Sequence, residues 1–282
     1  MQAFALPDRA LVTVCGQDAQ NFLQALITTD LDQLEDGEAR PGALLTPQGK
    51  ILFDFIVSRD AACIRLETGL HHADALLKRL TMYKLRAPIS LVLTAPAIVG
   101  ISLEDVPGGF RDAGFAKAGR TVFRVYGDES MTEGETVEYD RLRLASGIAA
   151  AGADYALQDA FPHDVLMDVN DGVSFKKGCF VGQEVVSRMK HRGTARRRVV
   201  TVSAESALPA TGTEITANGK TVGALGTVCG NTGLAIVRTD RVADALASAT
   251  PLIAENVPVT VALPAWSGIS FPVVDPAVQA EE

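Results

Sequence analysis

The densest run of residue types able to do chemistry is Ser174-Phe175-Lys176-Lys177-Gly178-Cys179-Phe180-Val181-Gly182-Gln183-Glu184. Two glycines flank a cysteine in a stretch that reads as a loop, and a helix is expected from about 182 to 190. Cys179 thus precedes a helix N-terminus, with Lys176 and Lys177 close in sequence. A positive helix end and two cations favour thiolate over thiol. A thiolate there is a nucleophile or a soft ligand for iron. The plainer reading is a buried loop cysteine whose glycines serve only backbone turns. Glu184 likewise has a plain role, four residues before Arg188 in the favourable order for a helical ion pair.

Charge concentrates in the same region. Between 176 and 198 stand Lys176, Lys177, Arg188, Lys190, Arg192, Arg196, Arg197 and Arg198, opposed only by Glu184, in a chain of net charge −8. An acidic chain is a poor general coat for nucleic acid, and the stripe has no interleaved aromatics on which bases would stack. A single anionic partner is one reading; a solvated helix face followed by an edge strand is the other. On a helix reaching 192, Arg188 and Arg192 share one face, and Arg196 and Arg198 alternate on one side of the strand that follows.

Other candidates are weaker. Asp54 sits in Leu52-Phe53-Asp54-Phe55-Ile56-Val57, where alternation puts apolar neighbours on both faces, so it is expected to be buried or to line a cleft. His163 and Asp164 follow Pro162 and read as a structural turn, since no nucleophile is paired with them. His71-His72 opens an expected helix without a metal-spaced partner. Cys15, Cys63 and Cys229 lie in or beside apolar strands, with no C-x-x-C pair, and all four thiols are expected to stay reduced. No Walker loop or G-x-G-x-x-G is present.

The elements that must position these residues follow from periodicity. Strands are expected at 11–14, 42–46, 51–58, 63–67, 89–93, 98–103 and 121–125, and helices after Asp18, over 71–84 and over 137–144. Pro47-Gln48-Gly49 suits a tight reversal between two strands. The pattern is too irregular for a doubly wound parallel sheet and reads as α+β, with two similar lobes. After 198 the texture becomes short threonine- and valine-rich strands at 199–202, 214–217, 221–225, 233–237 and 257–262. Asn218-Gly219 is a hairpin cue, and helix pattern is nearly absent. The expectation is a first region over 1–200 and a small β-barrel over 201–282.

Composition bounds the rest. The chain has 282 residues, 47% hydrophobic and 21% charged, which suits two compact units or one large one. No run approaches the ~18 apolar residues of a membrane span, so no membrane partner is expected. The first ten residues read as neither signal nor transit peptide, which makes a cytoplasmic protein the expectation.

Lys177-Gly178-Cys179-Phe180-Val181-Gly182-Gln183-Glu184 resembles the K-G-C-[FY]-x-G-Q-E signature of the YgfZ group, whose relatives include mitochondrial iron–sulfur assembly proteins. Leu44-Leu45-Thr46-Pro47-Gln48-Gly49-Lys50 with Ile51-Leu52-Phe53-Asp54, Lys84-Leu85-Arg86 and His191-Arg192-Gly193 fit the same group, and the resemblance spans about 10–240. It implies a two-lobed GcvT-like folate-binding region followed by the barrel, the fold of the glycine-cleavage T-protein. It also implies a tetrahydrofolate or related folate as ligand, a transient iron–sulfur cluster at Cys179, and scaffold, carrier and client iron–sulfur proteins as partners. The implied binding residues are Asp54, Lys177, Gln183, Glu184, Arg188 and Arg192, with Cys179 the key thiol.

The T-protein also shows what has changed. Its G-G-x-x-D-D-x-I-V aligns its second aspartate with Asp54 and its first with Phe53. Its L-R-L-E-A-G aligns with Leu142-Arg143-Leu144-Ala145-Ser146-Gly147, so the glutamate that holds the pterin is Ala145 here. An accessory role in iron–sulfur cluster assembly or maintenance is therefore expected, more an assembly factor than a turnover enzyme. The alternative is a tetrahydrofolate-dependent aminomethyl or one-carbon transferase, and an RNA-binding module is a third.

Overall fold

The computed structural model describes residues 3–128 and 136–273. The chain divides into two compact units. One comprises Met1–Tyr139, Leu157–Pro162 and Met167–Gly193; the other comprises Asp140–Ala156, His163–Leu166 and Thr194–Glu282.

In chain order the first unit holds β1 (Ala3–Leu6), β2 (Arg9–Cys15), α1 (Ala19–Gln24), β3 (Glu38–Leu45), β4 (Ile51–Asp60), β5 (Cys63–Gly69) and α2 (Leu70–Lys84). It continues with β6 (Ser90–Thr94), β7 (Val99–Ser102), β8 (Phe110–Asp112), α3 (Ala113–Lys117) and β9 (Phe123–Tyr126). Then comes α4 (Thr136–Ser146), shared between the units, and α5 (Gln183–Arg192). The described strands form one nine-stranded sheet, ordered β1-β7-β9-β8-β3-β4-β5-β2-β6. Among the described residues the ladder of the sheet passes from one half to the other where β3 meets β8 in a short parallel pairing, Glu38 with Arg111 and Ala39 with Asp112.

Alternation sorts the sheet's faces. Phe53, Phe55 and Val57 of β4 enter an apolar core with Val12, Val14, Leu23, Leu44, Leu66 and Ile64. Helix α2 covers that core with Leu76 and Leu80, one turn apart. The opposite face carries charge. Glu67 of β5, fully buried, accepts from Arg124 Nη1 at 2.7 and 2.9 Å, from Arg9 at 2.7 Å and from the Tyr126 hydroxyl at 3.0 Å. Arg124 Nε donates to Asp112 at 2.7 Å and Nη2 to the Tyr139 hydroxyl at 3.0 Å. Three strands separate β5 from β9, so a flat sheet would hold them roughly 19 Å apart. Their side chains touch because the sheet curls around this network.

The second unit contains β10 (Arg197–Ser203), β11 (Glu214–Ala217), β12 (Lys220–Cys229), β13 (Thr232–Arg238), α6 (Thr239–Ala247), β14 (Leu252–Ala254) and β15 (Val257–Ala262). These strands close as a barrel, β10-β13-β12-β11-β14-β15, with β15 pairing back onto β10. Closure removes the exposed edges that short strands otherwise present. Asn218 and Gly219, both at positive φ, make the β11–β12 turn. Arg143, buried at the end of α4, donates to Asp154, Asp140 and the Thr227 hydroxyl, which ties α4 to β12.

Three sequence expectations are corrected. First, Cys15 and Cys63 are not free thiols but a disulfide. They are directly opposed partners of β2 and β5 with Cα atoms 4.3 Å apart, the close spacing of a non-hydrogen-bonded antiparallel pair. Second, α6 lies within the region read as almost free of helix. Its buried residues are Thr239, Val242, Ala243 and Ala245, and at nine residues it is a short helix set among threonine- and valine-rich strands. Third, Arg198 is not part of an open cationic stripe. It is buried and donates to the His163 carbonyl at 2.6 Å.

Candidate functional site

The loop carrying Cys179 is seated on residues 27–30, a segment whose apolar spacing suggests the end of a helix. Helix α1 stops at Gln24, and Ile27 instead bridges to Leu44 of β3. From there three successive residues offer backbone oxygens to the loop. Ile27 and Thr29 carbonyls accept from Lys177 Nζ at 2.8 and 2.7 Å, and the Thr28 carbonyl accepts from the Ser174 amide at 2.9 Å. The Thr28 hydroxyl donates to the Gly172 carbonyl at 2.6 Å and accepts from the Ala43 amide at 2.9 Å, locking the seat to β3. Thr28 and Thr29 are fully buried, and the hydroxyl and carbonyl of each carry hydrogen bonds, as buried polar groups require.

The far side of the loop rests on the β3–β4 turn. That turn is closed by Gly49 N to Thr46 O and Thr46 N to Lys50 O, both 2.8 Å. Gly182, at φ 79, ends the loop and N-caps α5. A side chain there would place its Cβ 2.5 Å from the Thr46 carbonyl. Gly182 is thus a contact point as well as a turn.

Between these anchors the loop alternates in burial. Lys177 and Phe180 are 8% and 7% exposed, whereas Gly178 and Cys179 are exposed. The Lys177 ammonium stands 5.5 Å from the centre of the Phe180 ring, within cation–π range. Burial lowers the Lys177 pKa to about 8, against the opposing pull of Asp30 and Asp32. Cys179 is a free thiol at an exposed tip; Cys229, the other free cysteine, is half-buried at the end of β12.

The remaining expected site residues divide into two places. Gln183 and Glu184 form the first turn of α5, half-buried and exposed respectively, and Arg188 and Arg192 are exposed further along the same helix. Lys190 stacks on Phe175 at 3.8 Å, fastening α5 to the start of the loop. Asp54 lies elsewhere in the same unit, on β4. It is half-buried on the face opposite the apolar core, and its carbonyl accepts from the Thr68 hydroxyl at 3.0 Å. Phe53, at the T-protein's other aspartate position, points into the core. Ala145 is exposed on α4. His163 and Asp164 are buried in a short turn, with Asp164 facing Arg197 at 3.6 Å, which matches their reading as structure.

Ile27, Thr28 and Thr29 are parts of the site that sequence reasoning did not single out. The paired threonines after an apolar helix were the available signal, since adjacent hydroxyls often replace a ladder with side-chain bonds. Among the described residues no group of three or more His, Cys, Asp or Glu could hold a metal ion. Among the described residues no helix is long and apolar enough to cross a membrane.

Residues 196–269 match the family described as CAF17, C-terminal beta-barrel domain. Over 93% of its length the chain is 29% identical to the mitochondrial iron–sulfur cluster assembly factor IBA57 of Mus musculus, covering 84% of that protein. The chain is similar to the IBA57 assembly factors. Human IBA57 is 28% identical over 85% of the chain and 78% of its own length. The IBA57 homologue of Neurospora crassa is 30% identical over 69% of the chain, although only 52% of that longer protein is covered. In structure, the chain resembles the glycine cleavage system aminomethyltransferase T of Bartonella henselae, with a TM-score of 0.67 at 18% identity, over 93% of this chain and 85% of the other. That likeness establishes the aminomethyltransferase-type fold. The IBA57 proteins are named as mitochondrial, which overturns the cytoplasmic placement read from the sequence.

Proposed function

We propose that this chain is an accessory factor in the assembly or maintenance of iron–sulfur clusters, with Cys179 as its working thiol. The observation that carries the reading is an exposed, free cysteine at the tip of a firmly seated loop, in a chain related to IBA57 assembly factors. A cluster in transit is cargo, and Cys179 would supply one sulfur ligand after losing its proton to solvent. Scaffold, carrier or client proteins supply the others. Arg188 and Arg192, exposed on α5, would draw an acidic partner or the glutamate tail of a folate to the loop. Within the wider family, the K-G-C-F-V-G-Q-E run favours the YgfZ group.

A reduced folate is part of the proposal, held near Asp54. The residues fit it only partly. Asp54 offers one carboxylate on the polar face of the sheet, while Phe53 is committed to the core and Ala145 brings no acceptor. Pterin donors left without that partner weaken binding. No observation favours the transferase reading, which needs those acids. Calorimetric titration with tetrahydrofolate, repeated on Asp54→Asn, tests the ligand; no heat at millimolar folate removes it from the proposal.

The decisive experiment is deletion followed by assays of several iron–sulfur enzymes, with complementation by wild type and by Cys179→Ser. Loss of those activities, restored only by wild type, is the expected result. Full restoration by Cys179→Ser would end the case for the thiol.

A further inference from the structure

We propose that Lys177 is a positioning residue, the inner half of a pinch that presents Cys179, and not a contact to ligand. The inference rests on the assembly reading only for its biological meaning; the geometry stands alone. In Lys177-Gly178-Cys179-Phe180 the two outer residues are buried and the two inner ones are exposed. The outer pair closes on itself, ammonium to ring, at 5.5 Å. The same ammonium commits two of its three donors to the Ile27 and Thr29 carbonyls, at 2.8 and 2.7 Å. Hydrogen bonds from a charged donor to buried carbonyls are among the stronger ones a fold can make. The loop is therefore held at one side chain from two directions, and a two-residue tip is all that can project.

This arrangement explains the spacing of the motif. Lysine two residues before the cysteine reaches down into the seat, because a long flexible stem can bury its methylenes and still deliver a charge. Phenylalanine one residue after the cysteine gives that charge a ring and closes the loop. Gly178, with open space where a Cβ would stand, adds no side chain to the tip beside the thiol. Gly182 then brings the chain against Thr46 and into α5. An acid-binding or folate-binding lysine would need an ammonium free to meet its ligand; this one is already engaged.

The test uses the full chain. Lys177→Met keeps the stem's volume and removes charge and donors, and Phe180→Leu removes the ring while keeping an apolar side chain. Cys179 labelling by iodoacetamide is timed against Cys229 in the same sample, and hydrogen exchange is followed across 174–182. The expected result for Lys177→Met is at least a ~10-fold faster exchange of the loop amides, as the loss of charged hydrogen bonds implies, and a changed Cys179:Cys229 labelling ratio. The Cys229 rate and exchange within the barrel should stay unchanged. Unaltered loop exchange and an unaltered ratio in a folded Lys177→Met protein would overturn the proposal. If that variant does not fold, Phe180→Leu is measured in the same way, and the same two outcomes support or overturn the pinch. Because no client enzyme enters these measurements, failure of the pinch and failure of the assembly role are separable: the latter is read by the deletion and the iron–sulfur enzyme assays alone.

Discussion

At the scale of single residues, the chemistry of the four cysteines follows from where the backbone leaves them. Cys179 projects from a loop tip, Cys229 is half-buried at a strand end, and Cys15 and Cys63 are bonded to each other. Alkylation requires a thiolate that the reagent can reach, so access alone ranks the two free thiols. In native, unreduced protein at neutral pH, peptide mapping is expected to show Cys179 labelled first and Cys229 slowly. Cys15 and Cys63 should label only after reduction and unfolding. Faster labelling of Cys229, or free Cys15 and Cys63 in air-oxidised protein, would contradict this ranking. Sequence showed Cys179 as the candidate because lysines and glycines surround it. It could not show the Cys15–Cys63 bond, because 48 residues separate them and only the β2–β5 register brings them together. Nor could it show that Lys177 is buried, since a lysine next to another lysine reads as solvated charge until its carbonyl partners are known.

At the scale of elements, α5 and the loop before it depend on one backbone geometry. Gly182 is at φ 79 and in contact with the β3–β4 turn. Gly182→Ala adds left-handed strain and a clash with the Thr46 carbonyl, together expected to cost about 1–3 kcal/mol in urea unfolding. A difference near zero would mean that the turn yields freely. Arg188 and Arg192 test the helix's outward side, where exposure leaves them open to salt screening. Reversing both to Glu should leave the fold intact, impair maturation of client enzymes and abolish any salt-sensitive partner binding. Full complementation by the folded double variant would reduce the pair to a solvated face. Legibility at this scale tracked the strength of the periodic signal. Strands at β4, β5 and β15 and helix α2 stand in the sequence because apolar residues alternate or recur there. The four-residue β1 and the three-residue β8 and β14 are too short to announce themselves, and the nine-residue α6 is lost among the strand-like residues around it.

At the scale of the whole molecule, the nine-stranded sheet holds its curl through one buried carboxylate. Glu67 receives Arg124 from the other half of the sheet, Arg9 from β2 and the hydroxyl of Tyr126. Burial pushes its carboxyl up, but the charges of Arg124 and Arg9 and the Tyr126 bond outweigh that and hold it below its ordinary pKa of 4.5. Removing one partner of such a network leaves the others charged and dry. Glu67→Gln is therefore expected to destabilise the protein by about 3–5 kcal/mol at neutral pH, a loss readable in urea unfolding. The pH dependence has a definite sign. A carboxyl whose folded pKa is depressed binds more protons when unfolded, so its stabilisation is complete above 4.5 and is lost as pH falls through the lower folded value. Wild type should lose stability steeply below about pH 4.5, and Glu67→Gln should lose less over the same interval, so that the two curves converge in acid. Replacing Glu67 and Arg124 together by Leu and Met removes the central ion pair, leaving Arg9 and Asp112, and should recover part of the loss. A double variant no more stable than Glu67→Gln would mean that the remaining arginine and aspartate, and not the Glu67–Arg124 pair, set the curvature of the sheet.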